Sequence, residues 1–192
     1  LDNYDNVLCF LKDLGRPGGI QIGLRHVSLS TCGLVDGIRR LMKERLQLTL
    51  SVSLHAPNNA IRSRLMPVNR RYPIEELLNA CREYSGVTGR RVSYEYALIG
   101  GVNDSDECAE ELARRLRGDL CHINLIPANE VKGSGLGRST RERQRAFCSI
   151  LSKRGMNVTV RRTLGADILA SCGQLRGRNE ESTSDAERGI QR

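Results

Sequence analysis

Three groups of residues in this chain could do chemistry. Cys172 stands in Gly165-Ala166-Asp167-Ile168-Leu169-Ala170-Ser171-Cys172-Gly173-Gln174-Leu175-Arg176, outside any regular apolar pattern. In a glycine-flanked loop a thiol can meet a ligand, and loops on a rigid scaffold are where reactive residues gather. The alternative is a packing cysteine enclosed by aliphatic side chains. Ser53-Leu54-His55-Ala56-Pro57-Asn58 places a polar pair ahead of a proline that stops a strand, which suits a small ligand. Taken alone, a histidine there is more often a hydrogen-bonded structural residue than a catalytic one. Asn124 and Asn129 bracket Leu125-Ile126-Pro127. Their amides can donate to and accept from an adenine edge or an amino-acid group, or simply cap a strand as turn residues. Lys132-Gly133-Ser134-Gly135-Leu136-Gly137 has no GK[ST] and does not join a strand to its helix, so it is not a phosphate-binding loop.

Strand-like and helix-like segments alternate behind these residues. Val7, Phe10, Leu11 and Leu14 have helical spacing. Residues 25–31 (RHVSLST) read as a strand and 34–45 as a helix with a basic outer face. The clearest strand is 47–54 (QLTLSVSL), where Leu48, Leu50, Val52 and Leu54 alternate with polar residues. Ile74, Leu77, Leu78 and Cys81 mark a helix, 91–99 (RVSYEYALI) a strand, and Ala109, Leu112 and Leu116 a helix beginning at Ser105. Residues 122–126 (HINLI) form a short strand and 131–138 a glycine-rich loop. Ser139 with Glu142 reads as a capping box opening the next helix, and 157–162 (NVTVRR) is the last strand.

This order implies an α/β fold of parallel β/α units. About five strands are too few for a complete eight-stranded barrel, so the fold is an open doubly wound sheet or part of a barrel. Either architecture gathers ligands at the C-terminal strand ends, which selects Ser30, Thr31, residues 53–55, 98–102 and 127–129, and the loop of Cys172. The core domain spans 1–176, and the polar tail 177–192 is expected to be disordered.

Composition bounds the rest. With 39% hydrophobic residues but only 4% aromatic, aliphatic side chains must build the core. No apolar run is long enough to cross a membrane, and the first residues do not read as a signal peptide. Thirty Lys and Arg against 22 Asp and Glu give a net charge of +8, which suits a polyanion such as nucleic acid. The seven cysteines include no CxxC, no CxxxCxxC and no zinc spacing, which points to reduced thiols in a cytoplasm. Cys81 and Cys108 fall on apolar helix faces.

Several separated motifs carry a resemblance. They are Leu1 to Val7 (LDNYDNV), Arg25 to Gly33 (RHVSLSTCG), Ser53 to Asn58 (SLHAPN), Glu95 to Ile99 (EYALI), Val102-Asn103-Asp104, Ile123 to Pro127 (INLIP), Ala166-Asp167-Ile168 and Ala170 to Leu175. In this order they resemble the second half of the radical-SAM 23S rRNA adenine-2503 C2-methyltransferases, which also modify adenine 37 of tRNA. The resemblance implies the C-terminal part of a partial (β/α) radical-SAM barrel. It implies contact of Ser30, Ser53, Leu54, His55 and Asn129 with S-adenosylmethionine. Cys172 matches the cysteine that is methylated during turnover. C2 of adenine is electron-poor and does not attack a methylsulfonium, so the family's route passes the methyl through this sulfur and uses radical chemistry from a [4Fe–4S] cluster. The cluster's CxxxCxxC, a Gly-Glu pair, the resolving cysteine and an RNA-binding domain are expected upstream of Leu1, so this chain contributes no metal ligand. Leu169 and Leu164 stand where an acidic and a basic residue are expected. The implied partners are 23S rRNA and tRNA, with no membrane, acted on by a cytoplasmic monomer. Alternatives are the related C8-adenine methyltransferases, or a non-catalytic RNA- or nucleotide-binding α/β domain.

Overall fold

A computed structural model of the chain describes residues 1–16, 18, 20–128 and 136–161. Asn129, Cys172 and the tail 177–192 lie outside the described residues. The elements are α1 (Tyr4–Leu14), β1 (Ser28–Thr31), α2 (Val35–Lys43), β2 (Thr49–Ser53), α3 (Asn59–Leu65), α4 (Ile74–Thr88), β3 (Val92–Gly100), α5 (Asp106–Arg115), β4 (Cys121–Pro127), β5 (Gly137–Arg138), α6 (Arg141–Lys153) and β6 (Val158–Val160). Single 3-10 turns occupy Leu24–His26 and Pro67–Arg70.

Five strands pair in parallel in the order β1-β2-β3-β4-β6, while β5 pairs antiparallel with the end of β3. Every crossover therefore steps to the neighbouring strand in one direction. Parallel crossovers are almost always right-handed, so a one-way order puts all the covering helices on one face. That decides between the two architectures: the order has no reversal, hence no switch point, and the sheet is part of a barrel rather than doubly wound.

Register and alternation sort the side chains. One face carries Leu50 and Val52, then Val92, Tyr94, Tyr96 and Leu98, then Ile123 and Leu125. These pack in one buried cluster with Val35, Ile38 and Leu41 of α2, Ile74, Leu77, Cys81 and Tyr84 of α4, Ala109 and Leu112 of α5, and Phe147 and Leu151 of α6. The one close aromatic pair described is Tyr96 and Phe147, with ring centroids 5.2 Å apart. Cys81 and Cys108 are buried as expected, and burial pushes the Cys81 thiol up to about 12.

The opposite face carries Ser28 and Ser30, Ser51 and Ser53, Ser93 and Glu95, Asn124, and Thr159. These hydroxyls and amides meet each other rather than a helix. Glu95 accepts from Ser51 (3.3 Å), Ser93 (3.1 Å) and Asn124 (2.7 Å). The row extends through a 3.0 Å contact between the Ser28 and Ser51 hydroxyls to one side. On the other side the Thr159 hydroxyl donates to Asn124 at 3.4 Å and lies 3.1 Å from His122 Nε2. A polar face across five parallel strands is the interior surface of a partial barrel.

Some local expectations change, beyond the unanticipated α3 and the short β5 inside the segment read as a loop. The cap of α6 is Thr140, whose hydroxyl accepts from Arg143 N, and not Ser139. Ser139 instead donates to Asp104 at 2.6 Å. Asn124 sits inside β4 and not at its end. Residues 25 and 26 belong to a 3-10 turn, so the first strand begins at Ser28. No described helix is long and apolar enough to cross a membrane.

Candidate functional site

The C-terminal ends of β1 and β2 bring Ser30, Ser53, Leu54 and His55 together. Ser30 is level with Ser51, and Ser53 lies one pleat further along the adjacent strand. Both serines face the polar interior. Neither hydroxyl has a hydrogen-bond partner among the described residues, although most of their neighbours on that face do. Two hydroxyls at a strand mouth can each donate to and accept from a ligand.

Leu54 is different. Its side chain is fully buried, its N–H donates to Glu95 O at 3.0 Å, and its carbonyl accepts from Arg62. What it can offer a ligand is backbone shape and the spare lone pair of that carbonyl.

His55 has a left-handed backbone, φ 56°. A non-glycine residue keeps that conformation only where its surroundings fix it. Here Asn103 Nδ2 donates to the His55 carbonyl at 2.7 Å, and Ala97 N–H donates to His55 Nδ1 at 3.0 Å. A backbone N–H can only donate, so Nδ1 carries no proton. Burial, with the Arg62 charge as the second cause, lowers the imidazole to about 4. The ring is neutral at physiological pH with its proton on Nε2. It offers a hydrogen-bond donor rather than an acid–base group.

Asn103, named in the sequence only as part of the Val102-Asn103-Asp104 motif, is a member of this site. It is fully buried and uses its whole side chain: Nδ2 donates to His55 O and Ala97 O, each at 2.7 Å, and Oδ1 accepts from Ile99 N at 2.8 Å. Its carbonyl accepts from Tyr96 Oη at 2.7 Å. The available signal was Val102-Asn103-Asp104 directly after the Gly100-Gly101 turn, a short-side-chain pair at a strand end. Arg62 is a second member with no counterpart in the sequence analysis, because α3, which carries it, was not anticipated.

No group of three or more His, Cys, Asp or Glu that could hold a metal exists among the described residues. An iron–sulfur cluster therefore has no ligand set there. Two hydroxyls and an imidazole N–H are instead hydrogen-bonding groups for a small polar ligand, a chemistry compatible with S-adenosylmethionine.

No family model matches the chain. It is 58% identical over 177 residues to the probable dual-specificity RNA methyltransferase RlmN of Pelotomaculum thermopropionicum, covering 92% of this chain and 48% of that protein. Against the crystal structure of a radical SAM methyltransferase from Sphaerobacter thermophilus the TM-score is 0.86 at 53% identity, over 90% of this chain and 51% of that one. The chain thus spans about half the length of the curated relatives it matches. A domain of a pyruvate-formate lyase-activating enzyme from Bacteroides vulgatus shares the fold, with a TM-score of 0.63 at 20% identity, over 82% of this chain and 91% of that one.

Proposed function

We propose that this chain, which belongs to the RlmN family of radical SAM RNA methyltransferases, holds S-adenosylmethionine at the C-terminal ends of β1 and β2 for methylation of adenine C2 in RNA. The observation that carries the reading is the pair of hydroxyls, Ser30 and Ser53, without a partner among the described residues, beside the neutral His55 donor on the polar interior face. Asn129 is the fifth residue of the donor site. The acceptors are 23S rRNA and tRNA, and the basic excess of the chain suits them.

Cys172 is the thiol that takes the methyl. Its sulfur forms a bond to the methyl carbon as the sulfonium–methyl bond breaks. S-adenosylhomocysteine leaves, and the thiol proton passes to solvent. The iron–sulfur ligands then come from the half of the relatives' length that this chain does not span, and the reaction takes place in the cytoplasm.

Mass analysis of the intact protein, carrying its cluster and given S-adenosylmethionine, tests the assignment. The peptide containing Cys172 should gain one methyl group, and the doubly substituted S30A/S53A protein should gain at least tenfold less at equal donor concentration. RNA methylation with an unmodified Cys172 would remove the thiol from the route. Unchanged methylation in S30A/S53A would move the donor site elsewhere.

A further inference from the structure

Arg62 is fully buried. A buried guanidinium normally has a carboxylate partner, because an uncompensated charge out of water is expensive. Among the described residues no carboxylate pairs with it, and burial lowers the guanidinium's hold on its proton. All of its described bonds go to neutral oxygens. Nη2 donates to Cys32 O at 2.8 Å and Ser53 O at 3.2 Å, Nε to Leu54 O at 3.2 Å, and Nη1 to Asn69 Oδ1 at 3.0 Å. Three of the four acceptors are main-chain carbonyls just past β1 and at the end of β2, where the ladder runs out.

The surroundings are shaped around this contact. Gly33 has φ +107°, and a Cβ there would meet Arg62 Nη2 at 2.9 Å and Leu77 at 3.0 Å. Only glycine lets the chain leaving β1 lie against the guanidinium. Asn69 is itself held, donating to Asn59 Oδ1 at 3.0 Å and Ser63 Oγ at 2.8 Å. The fork is therefore fixed from behind as well as in front.

We propose that Arg62 is the positioning residue of the donor site: one buried guanidinium ties the end of β1 to the end of β2, and so sets Ser30 against Ser53 and His55. The proposal rests on the donor-binding reading above. Arginine suits the task because its planar fork reaches several carbonyls at once, which a lysine ammonium on a flexible stem cannot do. The charge also lies behind His55 and helps to keep that ring neutral.

Two substitutions in the intact protein separate fork from charge. Arg62→Lys keeps the charge and loses the fork, and Arg62→Gln loses both. Each folded variant should bind S-adenosylmethionine about tenfold more weakly by calorimetry. The His55 ring, followed by NMR, should titrate near its wild-type midpoint in R62K and move up towards 6.5 in R62Q. A folded variant with wild-type affinity overturns the proposal. If neither variant folds, the Arg62 Nε–H resonance of the wild-type protein serves: it must shift when S-adenosylmethionine is added, and a fixed signal overturns the proposal. A wild-type protein that does not bind S-adenosylmethionine brings down the donor-binding reading itself, and with it this one, an outcome visible before any variant is made.

Discussion

His55 shows how geometry, burial and a nearby charge together fix one side chain in a single protonation state. The Ala97 N–H occupies Nδ1, so protonating the ring would set a donor against a donor. Burial and Arg62 act in the same direction and hold the ring at about 4 instead of the ordinary 6.5. In the unfolded chain the ring takes up a proton as pH falls below 6.5, while the native ring does not until near 4. Between those values the unfolded state binds more protons. The stabilisation is thus complete above about 6.5 and is lost as pH falls towards 4, by up to ~3 kcal/mol. Replacing His55 with Asn, which tolerates the left-handed conformation, removes this component and leaves the carboxylate contributions in place. Urea unfolding at pH 7 and pH 4.5 should therefore show a smaller acid loss for H55N than for the wild type. Parallel losses would mean that the ring is protonated in the native state.

At the scale of elements, the loop after β2 is held from two sides. Arg62 on α3 takes its carbonyls, and Asn103 takes the His55 carbonyl from the end of β3. Truncating Asn103 to Ala removes the side-chain partner of His55 O, Ala97 O and Ile99 N, the last of them buried. At roughly 1–3 kcal/mol for each orphaned group, N103A should lose about 3 kcal/mol or more in chemical denaturation. A loss below about 1 kcal/mol would show that the loop is held by Arg62 alone. The strands were legible because polar and apolar residues alternate so regularly in 47–54 and 91–99. The clasps were not. Helix α3 has only seven residues, too few for periodicity to emerge, and nothing local separates its buried Arg62 from the exposed Arg64 two residues on. The start of α6 offered adjacent hydroxyls, Ser139 and Thr140. The distant Asp104 drew the first away, and the second became the cap. A tertiary partner 35 residues away decided a choice that local spacing could not.

The whole molecule turns on having one covered sheet face and one polar face. Each strand's alternation was visible in the sequence, but polar positions at period two look the same whether they face water or a barrel interior. Register removes the ambiguity, because it aligns Ser53 with Glu95 and Glu95 with Asn124 in one row. Two consecutive residues of β3 therefore serve different ends. Glu95 points into the interior and gathers three donors, with water within reach of a half-buried side chain. Tyr96 points into the helical layer, fully buried against Phe147, with its hydroxyl on Asn103 O. Truncating the aromatic ring removes core volume that the helices cannot refill, so Y96A should lose about 3–5 kcal/mol. E95A takes the acceptor from Ser51, Ser93 and Asn124, and with water able to enter the space the half-buried carboxylate leaves it should lose about 1–2 kcal/mol. Yet E95A should weaken S-adenosylmethionine binding severalfold, because it loosens the row on which Ser53 sits. Urea titration should thus show the larger stability loss in Y96A, and calorimetry on E95A should show a loss of affinity out of proportion to its small stability loss. If Glu95 proved as costly to the fold as Tyr96, the face assigned to the interior would instead be packed core, and a ligand site at its mouth would lose its floor.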